Sequence, residues 1–152
     1  MTIGFDFAPV TEADFDELVA LRIEVMRESL ERIGRFDPQS ARERFRRTFR
    51  PADTRRIVVD GVSAGCVAFW AEPVDAMRVE HFYLATRFQG RGLGSAVLTR
   101  LLNSAPASVK LFRVGALRES DANRFYQRHG FVKASESEWD IDHERPHTPA
   151  AG

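Results

Sequence analysis

Three glycines at alternate positions, Gly90, Gly92 and Gly94, stand in the segment EHFYLATRFQGRGLGSAVLTRLL with Arg87 and Arg91 beside them. An apolar, aromatic run enters the segment and an amphipathic run leaves it, so the pattern is strand, glycine loop, helix start. Such a junction suits an anion. Amide N–H groups without intrahelical acceptors point outward at a helix start, and the macrodipole adds positive potential. Glycine allows a ligand close to the backbone, and two guanidinium groups supply full charge. A phosphate or pyrophosphate is the expected guest.

Known phosphate motifs narrow the reading. The dinucleotide fingerprint needs a third glycine where Ser95 stands, with an acidic residue about twenty positions later in strand context. The nucleotide P-loop needs a lysine that is absent. The pattern present is Gln89-Gly90-Arg91-Gly92-Leu93-Gly94, or Q-x-x-G-x-G.

The elements around the loop follow from periodicity. Ile3 to Val10 alternates as a strand. Thr11 and Asp14 make a capping box for a helix carrying Phe15, Leu18, Arg22, Val25, Met26, Leu30 and Ile33, with Gly34 as its stop. Asp37 and Pro38 open a second helix with Ala41, Phe45 and Phe49 as its stripe; its basic residues, ARERFRRTFR, read as a solvated face. Two β-rich runs flank Asp60-Gly61, a primed hairpin turn. AMRVEHFYLAT is a further strand, LGSAVLTRLLNSA a helix, SVKLFRVGA a strand, SDANRFYQRH a short helix stopped by Gly130, and FVKASESEWDID one closing strand. The order is β-α-α-β-β-β-α-β-α-β, an α/β domain with a mixed, mostly antiparallel sheet of six to seven strands and about four helices. The domain is expected over residues 1–145, with 146–152 as a disordered tail.

Composition excludes some functions. The 152 residues carry no formal net charge, which argues against general nucleic-acid binding. A single cysteine, Cys66, rules out an internal disulfide and a cysteine metal cluster. It reads as a packed thiol, and no metal is expected. No long apolar run suggests a membrane span, and MTIGFDFAPV has no leader pattern, so a cytoplasmic protein is expected.

The Q-x-x-G-x-G loop on this strand-loop-helix resembles the phosphate loop of the GNAT family of N-acetyltransferases. SDANRFYQRHGF resembles that family's closing helix and strand through Phe125, Tyr126, Gly130 and Phe131. Ser120 and Asn123 stand where the family usually has Asn and Ala, and Thr86 stands where a proline is common. The resemblance spans Ile3 to roughly Asp142.

The resemblance implies acetyl-CoA as co-substrate. Its pyrophosphate would sit on Gln89, Gly90, Arg91, Gly92, Leu93, Gly94 and Ser95. Phe82 and Leu84 on the preceding strand, and Asn123 on the last helix, would complete the contacts. Leu84 would pair with the pantetheine arm and receive the acyl carbonyl, while Tyr126 would protonate the departing thiolate. Glu80 lies about 13 Å before Leu84 on the same strand face and is the candidate base, directly or through a water. His81 is its rival if a bulge reverses the strand. The acceptor is a small-molecule or peptide amine. Glu28, Glu31, Arg35 and Asp37, between the first two helices, are candidates to select it; the acidic residues suit a cation and Arg35 suits a carboxylate. A homodimer is possible on the same resemblance. Two other readings stand beside the enzyme: an acyl-CoA sensor or interaction module without turnover, and a site for another phosphate ligand such as a nucleotide.

Overall fold

The computed structural model describes residues 4–148. The elements are β1 (Asp6–Pro9), α1 (Phe15–Arg32), α2 (Pro38–Thr48), β2 (Thr54–Val59), β3 (Val62–Glu72), β4 (Ala76–Leu84), α3 (Leu93–Asn103), β5 (Leu111–Leu117), α4 (Ala122–Arg128), β6 (Val132–Glu136) and β7 (Asp140–Pro146). One sheet runs in the order β1-β2-β3-β4-β5-β7-β6. The pairs β1–β2, β2–β3, β5–β7 and β6–β7 are antiparallel, and β4 and β5 run parallel across the α3 crossover. The expected α/β class and mostly antiparallel sheet are what the chain adopts.

The expected single closing strand is instead a hairpin. Ser137 N donates to Asp140 O at 2.8 Å, and Ser137 Oγ accepts from Asp140 N at 3.2 Å, which turns the chain between β6 and β7. β7 then continues through Pro146, opposite Leu111, and His147 N donates to Lys110 O at 2.9 Å. The first two residues expected in the tail are therefore held by the sheet, because β5 offers them partners. Ile3 and residues 149–152, named above as strand and tail, lie outside the described residues.

The chain forms two compact units, one of residues up to Ala68 with His81–Ala96, the other of Phe69–Glu80 with the chain from Val97 onward. In the first unit, the Thr11–Asp14 capping box is present: Asp14 Oδ2 accepts from Thr11 N at 2.8 Å and Thr11 Oγ1 from Ala13 N at 3.3 Å. It opens a 3-10 turn that runs into α1. Phe15, Leu18 and Val19 of α1 pack with Val10, Phe45, Cys66 and Tyr83 into one core cluster. Full burial of side chains this large is worth roughly 1.5–3 kcal/mol each.

The basic face of α2 is largely exposed, as expected, and two of its arginines also find partners there. Arg42 pairs with Asp16 at 2.7 Å, Arg46 pairs with Glu12, and the Arg46 guanidinium stands 3.6 Å over the Phe15 ring. Glu12, in the 3-10 turn before α1, and Asp16, in its first turn, supply the carboxylates, while Phe15 offers an aromatic face. The β2–β3 turn has the expected geometry, with φ of 50° at Asp60 and 77° at Gly61.

One glycine is required by space. A Cβ on Gly65 would meet Tyr83 O at 2.0 Å and Leu84 Cα at 3.0 Å, both backbone atoms of β4. In the second unit, Val97, Leu98, Phe112 and Val114 are fully buried. Gly130 ends α4 with φ of 87°, and Phe131 N returns to Tyr126 O at 3.1 Å.

Candidate active site

The glycine loop belongs to the first unit. β4 ends at Leu84, a 3-10 turn follows over Thr86–Phe88, and α3 starts at Leu93. Two side chains fix the path. Gln89 Nε2 donates to Leu84 O at 2.9 Å, tying the loop back to the last carbonyl of the strand. Glu24 Oε2, on α1, accepts from Thr86 N at 2.8 Å and from Thr86 Oγ1 at 3.0 Å. Thr86, at a position expected to hold proline, thus uses the backbone donor that proline lacks.

Gly90 and Gly92 have φ of 73° and 81°, and a Cβ on either would meet nothing within 4 Å. Glycine is required there by the left-handed backbone, and the space beside it is open. Ala96 N donates to Gly92 O at 3.1 Å, the first bond of α3. The amides ahead of it form the turn whose donors a helix does not satisfy internally. Arg91 is exposed on this loop, and Arg87 stacks on Phe88 with its guanidinium 4.7 Å from the ring centroid. A backbone cradle, open space and cations make a site that a pyrophosphate fits.

His81, the rival base, has φ of 48° within β4. The ring is nevertheless directed into the core of the first unit. It lies 4.6 Å from the Phe45 ring and is 5% exposed. Nε2 is 2.6 Å from Thr48 Oγ1 and Nδ1 is 3.2 Å from the Tyr83 hydroxyl. Arg22 Nη1 donates to that hydroxyl at 2.5 Å, and Thr48 Oγ1 donates to Arg44 O at 3.4 Å. One proton arrangement satisfies all of these: Arg22 to Tyr83, Tyr83 to His81 Nδ1, His81 Nε2 to Thr48, Thr48 to the α2 carbonyl. Burial, followed by the charge of Arg22, lowers the His81 pKa to about 3. Both ring nitrogens are engaged in this chain.

Cys66 sits below the same strand and donates to His81 O at 3.3 Å. Burial pushes its thiol up to about 12, so it stays protonated. Sequence reading places Arg22 on the apolar stripe of α1 without assigning it a task, and it passes over Thr48 and Tyr83. A charged residue on an apolar helical stripe is the available signal.

The other named residues lie in the second unit. Glu80 is half-buried and pairs with Arg78 at 3.7 Å. Arg78 also reaches Glu72 at 3.0 Å and Asp142 at 3.7 Å. Asn123 is fully occupied by protein groups: Nδ2 donates to Leu117 O at 2.9 Å and Ser120 O at 3.1 Å, and Oδ1 faces His143 Nε2 at 2.9 Å. It latches α4 to the end of β5 and to β7. Tyr126, on the same helix, is 5% exposed, edge-on to Phe125 and Phe131 with centroids 5.3 and 5.7 Å away. Leu84, Gln89 and the glycines are thus assembled in one unit, and Glu80, Asn123 and Tyr126 in the other. Phe82 is half-buried on β4. Among the described residues, no group of three or more His, Cys, Asp or Glu could hold a metal ion, and no helix is long and apolar enough to cross a membrane.

Comparison with known proteins identifies this architecture. The profile of the acetyltransferase (GNAT) domain matches residues 52–133, more than half of the chain. The PaiA N-acetyltransferase from Thermoplasma acidophilum, solved in complex with coenzyme A, superposes with a TM-score of 0.73 at 13% identity, covering 95% of this chain and 99% of its own. An acetyltransferase from Thermus thermophilus gives 0.74 at 18% identity, covering 95% of this chain and 97% of its own. N-acetylglutamate synthase from Neisseria gonorrhoeae, with coenzyme A and N-acetyl-glutamate, gives 0.66 at 15% identity over 97% of this chain and 36% of its own. No curated protein matches at a significant level. The fold is that of the acetyl-CoA-dependent acyltransferases. The chain belongs to the GNAT acetyltransferase family, whose members use acetyl-CoA as co-substrate.

Proposed function

We propose that the protein transfers an acetyl group from acetyl-CoA to a primary amine by direct attack. The observation that carries this reading is the loop at the end of β4. Gln89 and Glu24 brace it, and Gly90 and Gly92 hold its left-handed turns. The loop amides and Arg91 hold the pyrophosphate, and the Leu84 N–H polarises the thioester carbonyl and stabilises the developing oxyanion. A primary ammonium of pKa about 10 must lose a proton before it attacks. Glu80 takes that proton, directly or through a water. The C–N bond forms, the C–S bond breaks, and Tyr126 gives its phenolic proton to the sulfur. The proton lost from the new amide nitrogen restores the phenol.

A second reading, binding of acyl-CoA without turnover, is favoured by one observation: Tyr126 is 5% exposed and packed between two aromatic rings, as a core residue would be. Thermal unfolding with acetyl-CoA, coenzyme A and ATP at matched concentrations is the first test. A ligand present at about a hundred times its Kd adds roughly 2.7 kcal/mol of stability. A rise with both CoA species but not ATP supports the cofactor site, and thiol release over an amine panel then separates enzyme from sensor. No rise with any CoA species would refute the proposal.

A further inference from the structure

Arg22 lies on the buried face of α1, one turn after Leu18 and Val19, and is 8% exposed. Tyr83 holds its Nη1, which leaves the parallel Nε–H and Nη2–H edge of the guanidinium. Nε is buried with no hydrogen-bond partner. Among the described residues, no carboxylate stands within ion-pair distance of Arg22.

The acidic residues around α1 are spent elsewhere. Asp14 and Glu17 pair with Arg56, Asp16 with Arg42, Glu12 with Arg46 and Glu31 with Arg27. Glu24 is committed to Thr86. Nothing beside Arg22 can supply the missing charge: Tyr83 and Thr48 are hydroxyls, and His81 is neutral. Arginine cannot escape by losing its proton. A buried cation without a counter-charge weakens the free protein, and an arriving anion removes that penalty.

We propose that the Nε–Nη2 edge of Arg22 receives the carboxylate of the acetyl acceptor, so that the acceptor is an amine that also carries a carboxylate. The inference rests on the acetyl-transfer reading and names its substrate class. A planar fork matches the two oxygens of a carboxylate. One cation among neutral neighbours matches a monoanion better than a phosphate dianion. Tyr83, whose hydroxyl holds Arg22, directly precedes Leu84, the strand position assigned to the thioester carbonyl.

Matched amines test it: tyrosine against tyramine and arginine against agmatine, each acid beside its decarboxylated partner. Thiol release gives kcat/KM, and titration calorimetry in the presence of coenzyme A gives affinity without turnover. The wild type should favour the acid of a pair at least ten-fold. Arg22→Gln should bring the ratio near one through the KM of the acid, with the decarboxylated amine unaffected. Tyr83→Phe, which keeps the Nε–Nη2 edge, should retain the preference. Should Arg22→Gln fail to fold, Arg22→Lys keeps the charge without the fork and must lower the ratio. No acid preference in the wild type, or one that survives Arg22→Gln, overturns the proposal. If acids bind the wild type but not Arg22→Gln and no amine turns over, the seat stands and acetyl transfer falls. If amines turn over regardless of a carboxylate, acetyl transfer stands and the seat falls.

Discussion

Gly65 is where a single methyl group should do the most damage. Its added Cβ would lie 2.0 Å from Tyr83 O and 3.0 Å from Leu84 Cα. A carbon–oxygen contact normally opens to about 3.3 Å, so β3 and β4 must part by roughly 1.3 Å at this point. Both sides are backbone in a paired sheet, so no rotamer change relieves the clash. Overpacking of this kind costs up to about 3 kcal/mol. Stiffening of the unfolded chain by alanine returns up to about 1 kcal/mol. The net loss for Gly65→Ala is about 2 kcal/mol, which lowers Tm by roughly 4–8 °C in a domain of this size. The control is Gly115→Ala, whose Cβ would meet side-chain ends alone, Asp142 Oδ1 at 3.2 Å and Arg78 Nη1 at 3.9 Å. It should stay within about 1 kcal/mol of wild type. The assay is urea unfolding followed by calorimetry, with acetyl-CoA titrated below both transitions. Gly65→Ala should also weaken acetyl-CoA, because the displaced backbone is that of Leu84. A Gly65→Ala protein within about 0.5 kcal/mol of wild type, or a worse Gly115→Ala, would refute the reasoning.

Other outcomes follow from the same geometry. The folded-state pKa of His81 is lowered from 6.5 to about 3, so the unfolded chain binds the extra proton and stability falls as pH drops from 6.5 towards 3. The loss is up to about 1.4 kcal/mol per pH unit. His81→Asn, which tolerates the left-handed backbone, should flatten the curve by about one proton; urea unfolding from neutral to mildly acidic pH reads the difference between the two proteins. Tyr126→Phe should lower kcat by about 10²-fold or more with the KM for acetyl-CoA nearly unchanged, and unchanged turnover removes Tyr126 from the chemistry. Gln89→Ala releases the Leu84 carbonyl and should weaken coenzyme A several-fold in a titration while Tm holds. The Cys66 thiol should resist a disulfide reagent until the chain is unfolded, and rapid labelling of the native protein would contradict its burial.

Features that a few neighbouring residues decide were legible in the sequence. Thr11 and Asp14 satisfy each other, Asp37 and Pro38 start a helix, and Asp60-Gly61 accepts two positive φ values. The hairpin between β6 and β7 was not legible, because its turn carries neither glycine nor proline and is closed by Ser137 and Asp140 instead. The left-handed backbone at His81 was not legible, since a histidine in an apolar run announces no such conformation. The roles of Thr48, Tyr83 and Glu24 depend on partners distant in the chain. A helix carboxylate beside a loop 62 residues away leaves no local pattern.

That last contact separates what is recognisable from what is self-sufficient. The family profile covers residues 52–133, which include the glycine loop and α4. Glu24, which holds the first residue of the loop's 3-10 turn, lies outside that span, as do Arg22 and Thr48 of the buried chain. A fragment cut to the recognisable span would keep the signature and lose the anchor of its glycine loop. On the proposed reading of the loop, capture of coenzyme A reports on the state of α1, and damage far upstream would register as a cofactor defect.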